Sequence, residues 1–199
     1  VTNQIIHVIA SFEQFIIKDI PFNFLLLVSS YVLILTGILW LEKRSFHRLL
    51  FFLLSILLIQ TTYLWTQWRV TNQQEWVVFN LKKTTMITKR MGKDVTVYAN
   101  DSLQKNGSKN KPLNAYLVGN FSRLAAAKKM KNTFYFKGKR ILIIDSSGVY
   151  PMQHHPDIIV LTRSPHINLD RLIQISRPKE IIADASNYKS IQKLWETTC

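Results

Sequence analysis

The chain has 199 residues, with 26 Lys and Arg against 12 Asp and Glu, for a formal charge of +14. Its single cysteine, Cys199, excludes an internal disulfide, and 22 of the cations but only 9 of the acids fall from Arg69 onward. The cationic surplus therefore belongs to the C-terminal part, where roughly 125 residues suffice for one domain with its own core.

Residues 1–21 open the chain. Within Gln4–Lys18, Ile5, Val8, Ile9, Phe12, Phe15 and Ile16 recur at three- and four-residue spacing, with His7, Ser11, Glu13 and Gln14 opposite. This pattern predicts an amphipathic helix ending near Asp19 and Pro21. It would lie in a membrane interface, line a channel, or pack against further membrane segments. The chain starts at Val1 with no charged n-region or cleavage site and stops at Cys199 after a helix-like segment. It is therefore expected to lack a signal peptide and to be a piece of a longer membrane protein, cut at both ends.

Residues 22–68 form the next unit. The runs Phe22–Leu41 and Leu49–Trp68 are each twenty residues long without a charge, and seven residues separate them. A hydrocarbon core needs about 20 helical residues to span it. In lipid every backbone amide must be bonded within its own segment, so both runs are expected to be transmembrane helices. The connecting loop 42–48 holds Lys43, Arg44 and Arg48 against Glu42, and short Lys/Arg-rich loops stay cytoplasmic. Both ends of the hairpin should then face outward, with Trp40, Tyr63, Trp65 and Trp68 near the headgroups.

A linker at 69–75 is expected to lead into a soluble domain over 76–199. Glu75–Leu81 and Thr84–Thr88 read as short strands around a Lys82-Lys83 turn, followed by a strand at Asp94–Tyr98 and a polar loop at Asn100–Lys111. Ala115–Val118 reads as a strand or as the start of a helix that includes Phe121–Met130. Thr133–Phe136 and Arg140–Ile144 suggest a hairpin around Lys137-Gly138-Lys139. Ile158–Leu161 and Glu180–Ala183 are apolar strands, each followed by a helix, with Asn168 and Asn187 as N-caps. Antiparallel strands followed by βα units predict a mixed sheet flanked by helices, of α+β or α/β class.

Three features could carry chemistry. Arg123, Lys128, Lys129, Lys131, Lys137, Lys139 and Arg140 fall within eighteen acid-free residues, interleaved with Phe134, Tyr135 and Phe136. Such a run binds phosphate backbones, and an exposed aromatic can stack a base; alternation leaves Tyr135 as the one free to do so. An anionic lipid surface or a merely solvated face would read the same way. The second feature is Asp145 at the end of the apolar strand Ile141–Ile144, a place where sheet-edge carboxylates meet metals or substrates but also cap turns. The third is His154-His155-Pro156-Asp157 with His166 beyond the next strand; adjacent histidines diverge on an extended backbone, which favours a loop over a zinc site.

In this order of elements the chain resembles the C-terminal part of ComEC competence proteins of the Bacteroidetes type, the inner-membrane DNA-uptake channel. Trp76–Leu81 is similar to the strand usually written TFLDVGQGDA, Pro156–His166 to VDVLLLSHHGS, and Arg177–Asp184 to VKPKYAVIS, with Asn187 and Tyr188 just after. The resemblance implies a transmembrane hairpin leading into a degenerate, truncated metallo-β-lactamase-like domain. It departs from the family where Asn80–Thr85 replaces the acidic motif and where the histidine segment keeps only His166. Asp101, Asp145 and His166 are the only plausible survivors of the ligand set, and losing most of that set implies a degenerate domain without a hydrolytic metal, so no cofactor and no catalysis are expected. The implied function is part of an inner-membrane channel for single-stranded DNA. The soluble domain would lie on the periplasmic or extracellular side and contact DNA without cutting it, beside the bilayer, upstream channel helices of the same protein and other competence proteins. Two alternatives stand beside it: a membrane-tethered metallohydrolase or nuclease using His154, His155, His166, Asp145 and Asp157, and an envelope domain binding anionic lipid or glycan.

Overall fold

The computed structural model describes residues 20–82, 84–99, 110–150 and 155–198, and the chain divides into two units. The expected helix at Gln4–Lys18 lies outside the described residues.

The first unit contains α1 (Phe24–Glu42) and α2 (Phe46–Asn72), both long and apolar enough to cross a membrane. Only 11% of each span is buried, unlike a mostly buried core helix; Phe24, Tyr31, Ile34, Leu41, Phe51 and Leu64 are all exposed. Asn23 starts α1 by accepting a hydrogen bond from Leu26 N at 2.8 Å, satisfying one of its orphan amides. The helices meet along a seam of small and polar residues. Thr36 Oγ1 and Ser55 Oγ lie 2.8 Å apart, and Asn23 Nδ2 donates to Thr66 Oγ1 at 2.9 Å. Trp40 stacks on Phe52 at 5.7 Å between centroids, next to Gly37, where a Cβ would come within 3.3 Å of the Phe52 ring. Close approach of this kind is how helices associate without a hydrophobic driving force. Arg48 Nη1, from the first turn of α2, donates to Leu39 O at 2.7 Å and caps the end of α1. Because α2 continues to Asn72, most of the expected 69–75 linker is helical.

The second unit holds two four-stranded sheets. One has the order β1 (Gln74–Val78), β2 (Met86–Met91), β3 (Asp94–Ala99), β4 (Arg123–Lys129), antiparallel except for the parallel β3/β4 pair. The other has the order β5 (Thr133–Phe136), β6 (Lys139–Ile144), β7 (Ile158–Leu161), β8 (Glu180–Ala183), antiparallel at β5/β6 and parallel thereafter. The sheets share one core: buried Ile87 from the first packs with Phe134, Ile141, Ile143 and Val160 from the second. Tyr98 meets Phe134 edge-on at 4.6 Å inside it. The alternate residues Leu142, Ile144, Ile159 and Leu161 bury against Leu169 and Leu172 of a helix at Leu169–Ser176 and Trp195 of a helix at Lys189–Thr198. With both faces covered, β6 and β7 need continuous apolar runs rather than alternation, which is what Ile141–Ile144 and Ile158–Leu161 supply.

Local chemistry sets the boundaries. Lys137 and Gly138 both take positive φ (47° and 76°), the two-residue turn whose twist suits a hairpin. Asn168 Oδ1 accepts from Arg171 N at 3.0 Å and caps its helix as expected.

Three expectations need correction. Arg123–Lys129 is a strand, and the helix before it, α3 (Lys111–Gly119), stops short of it. The Ala-rich segment has good helix propensity, but Phe121 at φ 52° ends the helical turn and pairing with β3 decides the rest. The turn between the first two strands is also longer than Lys82-Lys83. β1 ends at Val78, and Phe79 N donates to Met86 O at 2.9 Å across the loop. Asn187 does not cap the last helix, since Ile191 N and Gln192 N both reach Tyr188 O. Its side chain is used elsewhere.

Candidate functional site

The parallel strands β6, β7 and β8 end at one edge of their sheet, the place where open α/β sheets bind ligands. Asp145 follows β6, Thr162 and Arg163 follow β7, and Asp184 follows β8. Each carboxylate is held by an identical local device. Ser147 and Ser186 stand two residues on, and each gives both its N–H and its hydroxyl to the aspartate. Asp184 also accepts from Thr85 Oγ1 at 2.7 Å and from Asn187 Nδ2 at 3.0 Å, a contact that spans 99 residues of chain in the case of Thr85.

The same residues fix an unusual backbone. Arg163 and Ser164 are consecutive non-glycine residues at φ 59° and 51°. Each left-handed residue costs about 1–3 kcal/mol and persists only where neighbours over-determine it. Here Arg163 N donates to Ser186 Oγ at 2.7 Å, Ser164 N to Asn187 Oδ1 at 2.6 Å, and Tyr188 N to Ser164 Oγ at 2.8 Å. The loops after β7 and β8 are therefore stitched into one rigid piece.

The two aspartates titrate in opposite senses. Hydrogen bonding from Ser147 holds Asp145 below the usual carboxylate range, whereas burial pushes Asp184 up despite its four hydrogen bonds. Arg163 lends positive potential to both. Thr85, Lys129, Asn132, Asp145, Thr162 and Arg163 line a cavity of about 190 Å³ at this edge.

The basic run occupies neighbouring edges. β4 and β5 are edge strands of their sheets, joined directly through Met130–Asn132. Lys128, Lys129, Lys131, Lys137 and Lys139 are exposed, and Arg140 is half-buried. Tyr135 is 63% exposed between buried Phe134 and half-buried Phe136, as alternation requires. Arg123 is exposed but gives its Nε to Asp94 at 2.7 Å, so its charge is already matched. Lys137 Nζ stands 5.5 Å from the Phe136 ring centroid. Lys128 lies opposite Tyr98 and Lys129 opposite Ala99, so these two side chains leave β4 on opposite faces.

A family model for the ComEC C-terminal domain matches residues 76–199. The chain belongs to the ComEC family. It is a C-terminal part of such a protein, with involvement in DNA uptake in competence and membrane association through its two apolar helices. No curated protein and no solved structure matches it.

Among the described residues no three of His, Cys, Asp and Glu gather. His155 and His166 are exposed, and Asp157 is committed to Arg140 N at 3.0 Å and Lys179 Nζ at 3.0 Å. Asp101 and His154 lie outside the described residues. Asp145 does stand at the strand-end edge, and the turn after it packs on the His166 backbone, whose carbonyl a Cβ at Gly148 would approach to 3.3 Å. Thr85, Arg163, Asp184, Ser186 and Asn187 are the site residues that reading the sequence missed. The usable signal was the repeated Asp-x-Ser after an apolar strand, at Asp145 and again at Asp184.

Proposed function

We propose that the soluble domain guides incoming single-stranded DNA electrostatically and does not hydrolyse it. The observation that carries this reading is the exposure of Lys128, Lys129, Lys131, Lys137 and Lys139 around Tyr135 on two edge strands of a DNA-uptake protein. Lysines neutralise phosphates by counterion release, and an exposed ring offers a sequence-tolerant stacking face. Lys131 and Lys129 would lead a strand toward the cavity that holds Arg163, and Arg123, paired to Asp94, and Arg140 would contribute least.

In this reading the domain is a degenerate, truncated metallo-β-lactamase-like module that has exchanged metal ligands for a cation and hydroxyls. Its support is spatial. Thr85 from the replaced acidic motif, Arg163 from the histidine segment and Asp184 at the end of the last motif meet at one sheet edge. Transport would depend on upstream channel helices and other competence proteins.

Photocrosslinking tests the contact. A single strand carrying 5-bromouracil, mixed with the full chain in detergent micelles, should yield adducts on peptides within Arg123–Arg140, Tyr135 among them. Adducts confined to other peptides would remove this surface from the account.

The cationic loop supports a soluble domain on the outer side of the inner membrane. With Cys199 replaced by serine, a cysteine at Ser45 should label only from the cytoplasm and one at Ser146 only from outside. The reverse pattern overturns the orientation.

A further inference from the structure

A second groove runs along the loop after β8 and shares Asp184 and Asn187 with the site above. It has a volume of about 750 Å³, within the range that holds drug-sized ligands. Val78 and Ile182 give it an apolar floor, Phe79 and Tyr188 supply rings, and Lys82 and Lys189 stand in its wall. None of the seven cations of the basic run lines it.

Tyr188 is the informative residue. The residue is 72% exposed, yet its backbone is fixed, because Tyr188 N donates to Ser164 Oγ and neighbouring Asn187 is buried and bonded to Leu161 O at 2.7 Å. An aromatic anchored at its backbone and left uncovered has only its side-chain torsions to lose when a flat ring settles on it. Both lysines are exposed and line the same groove as that ring. Apolar lining, an uncovered aromatic on an anchored backbone and two cations form the combination that binds unpaired nucleotides: stacking for the base, charge for the backbone. A duplex, whose bases are already stacked, would gain nothing from it.

We infer that this groove is a nucleotide subsite for single-stranded DNA, with Tyr188 stacking on one base and Lys82 and Lys189 engaging the flanking phosphates. The inference deepens the proposed function and rests on it.

The test is the affinity of the full chain, in detergent micelles, for a fluorescent oligothymidylate and for a duplex of equal length. Tyr188→Ala should weaken single-strand binding roughly tenfold or more while leaving the duplex unchanged. Tyr188→Phe should retain wild-type affinity, because stacking needs the ring and not the hydroxyl. Lys82→Gln with Lys189→Gln should lower the log–log salt slope by about 1.4, and Tyr188→Ala should not change it. Tyr188 is exposed, so the melting temperature should hold in every variant. Equal affinity of wild type and Tyr188→Ala would overturn the groove, as would an equal loss in the Ala and Phe variants. The basic edge would then stand or fall separately on Lys128, Lys129 and Lys131. No single-strand binding by the wild type would overturn both readings.

Discussion

Asp184→Ala is expected to destabilise the soluble domain by about 2–3 kcal/mol, with a fall in its unfolding midpoint of roughly 6–12 °C. The carboxylate is 5% exposed and accepts from Thr85, both donors of Ser186, and Asn187. Hydrogen bonds to a charged group are worth about 1.5–3 kcal/mol each, and the desolvation of Asp184 takes back part of their sum. Losing the carboxylate also frees Ser186 and Asn187, which hold Arg163 and Ser164 in the left-handed region. The strained loop after β7 would relax, so proteolysis near Arg163 should accelerate alongside the loss of stability. Asp184→Asn keeps the shape and an oxygen acceptor, and should cost about 1 kcal/mol or less. An alanine variant as stable as wild type would mean that the stitched loops do not hold the sheet edge.

Burial raises Asp184 in the folded state, so its contribution grows as pH falls through that raised value and diminishes as pH rises. Asp145, held down chiefly by Ser147, and Asp157, held down chiefly by Arg140 N, act the other way. Their stabilisation is present above the ordinary carboxylate range and is lost as pH falls through their lowered values.

How far the chain could be read without coordinates depended on whether a signal was local. The hairpin was legible because lipid imposes a length and composition rule that holds residue by residue. Asn168 was legible because an N-cap is decided within four residues, and Lys137-Gly138 because a two-residue turn demands positive φ. Arg123–Lys129 was not, because Ala125–Ala127 favour a helix locally and only the parallel partner β3 makes them a strand. Asn187 looked like a cap, but its amide bonds Leu161 O, 26 positions away, and no local pattern announces that. The site divided along the same line. The exposure of Tyr135 came from alternation, while the convergence of Thr85, Arg163 and Asp184 depends on strand order, which the sequence leaves open.

The larger effect on function should come from the lysines of the β4 edge. On single strands each phosphate neutralised adds about −0.7 to the slope of log affinity against log salt. Lys128 and Lys129 leave β4 on opposite faces, so one strand meets two of Lys128, Lys129 and Lys131 at once rather than all three. Replacing all three with glutamine removes charge but keeps much of each stem, and all three are exposed, so fold stability should hardly move. The measurement is oligothymidylate affinity of the full chain in detergent micelles across a tenfold range of salt, for wild type and for the triple variant Lys128→Gln, Lys129→Gln, Lys131→Gln. The expected slope is shallower by about 1.4 in the variant, so that the two proteins converge as salt rises. An identical slope in both would contradict it and leave the basic run a solvated surface.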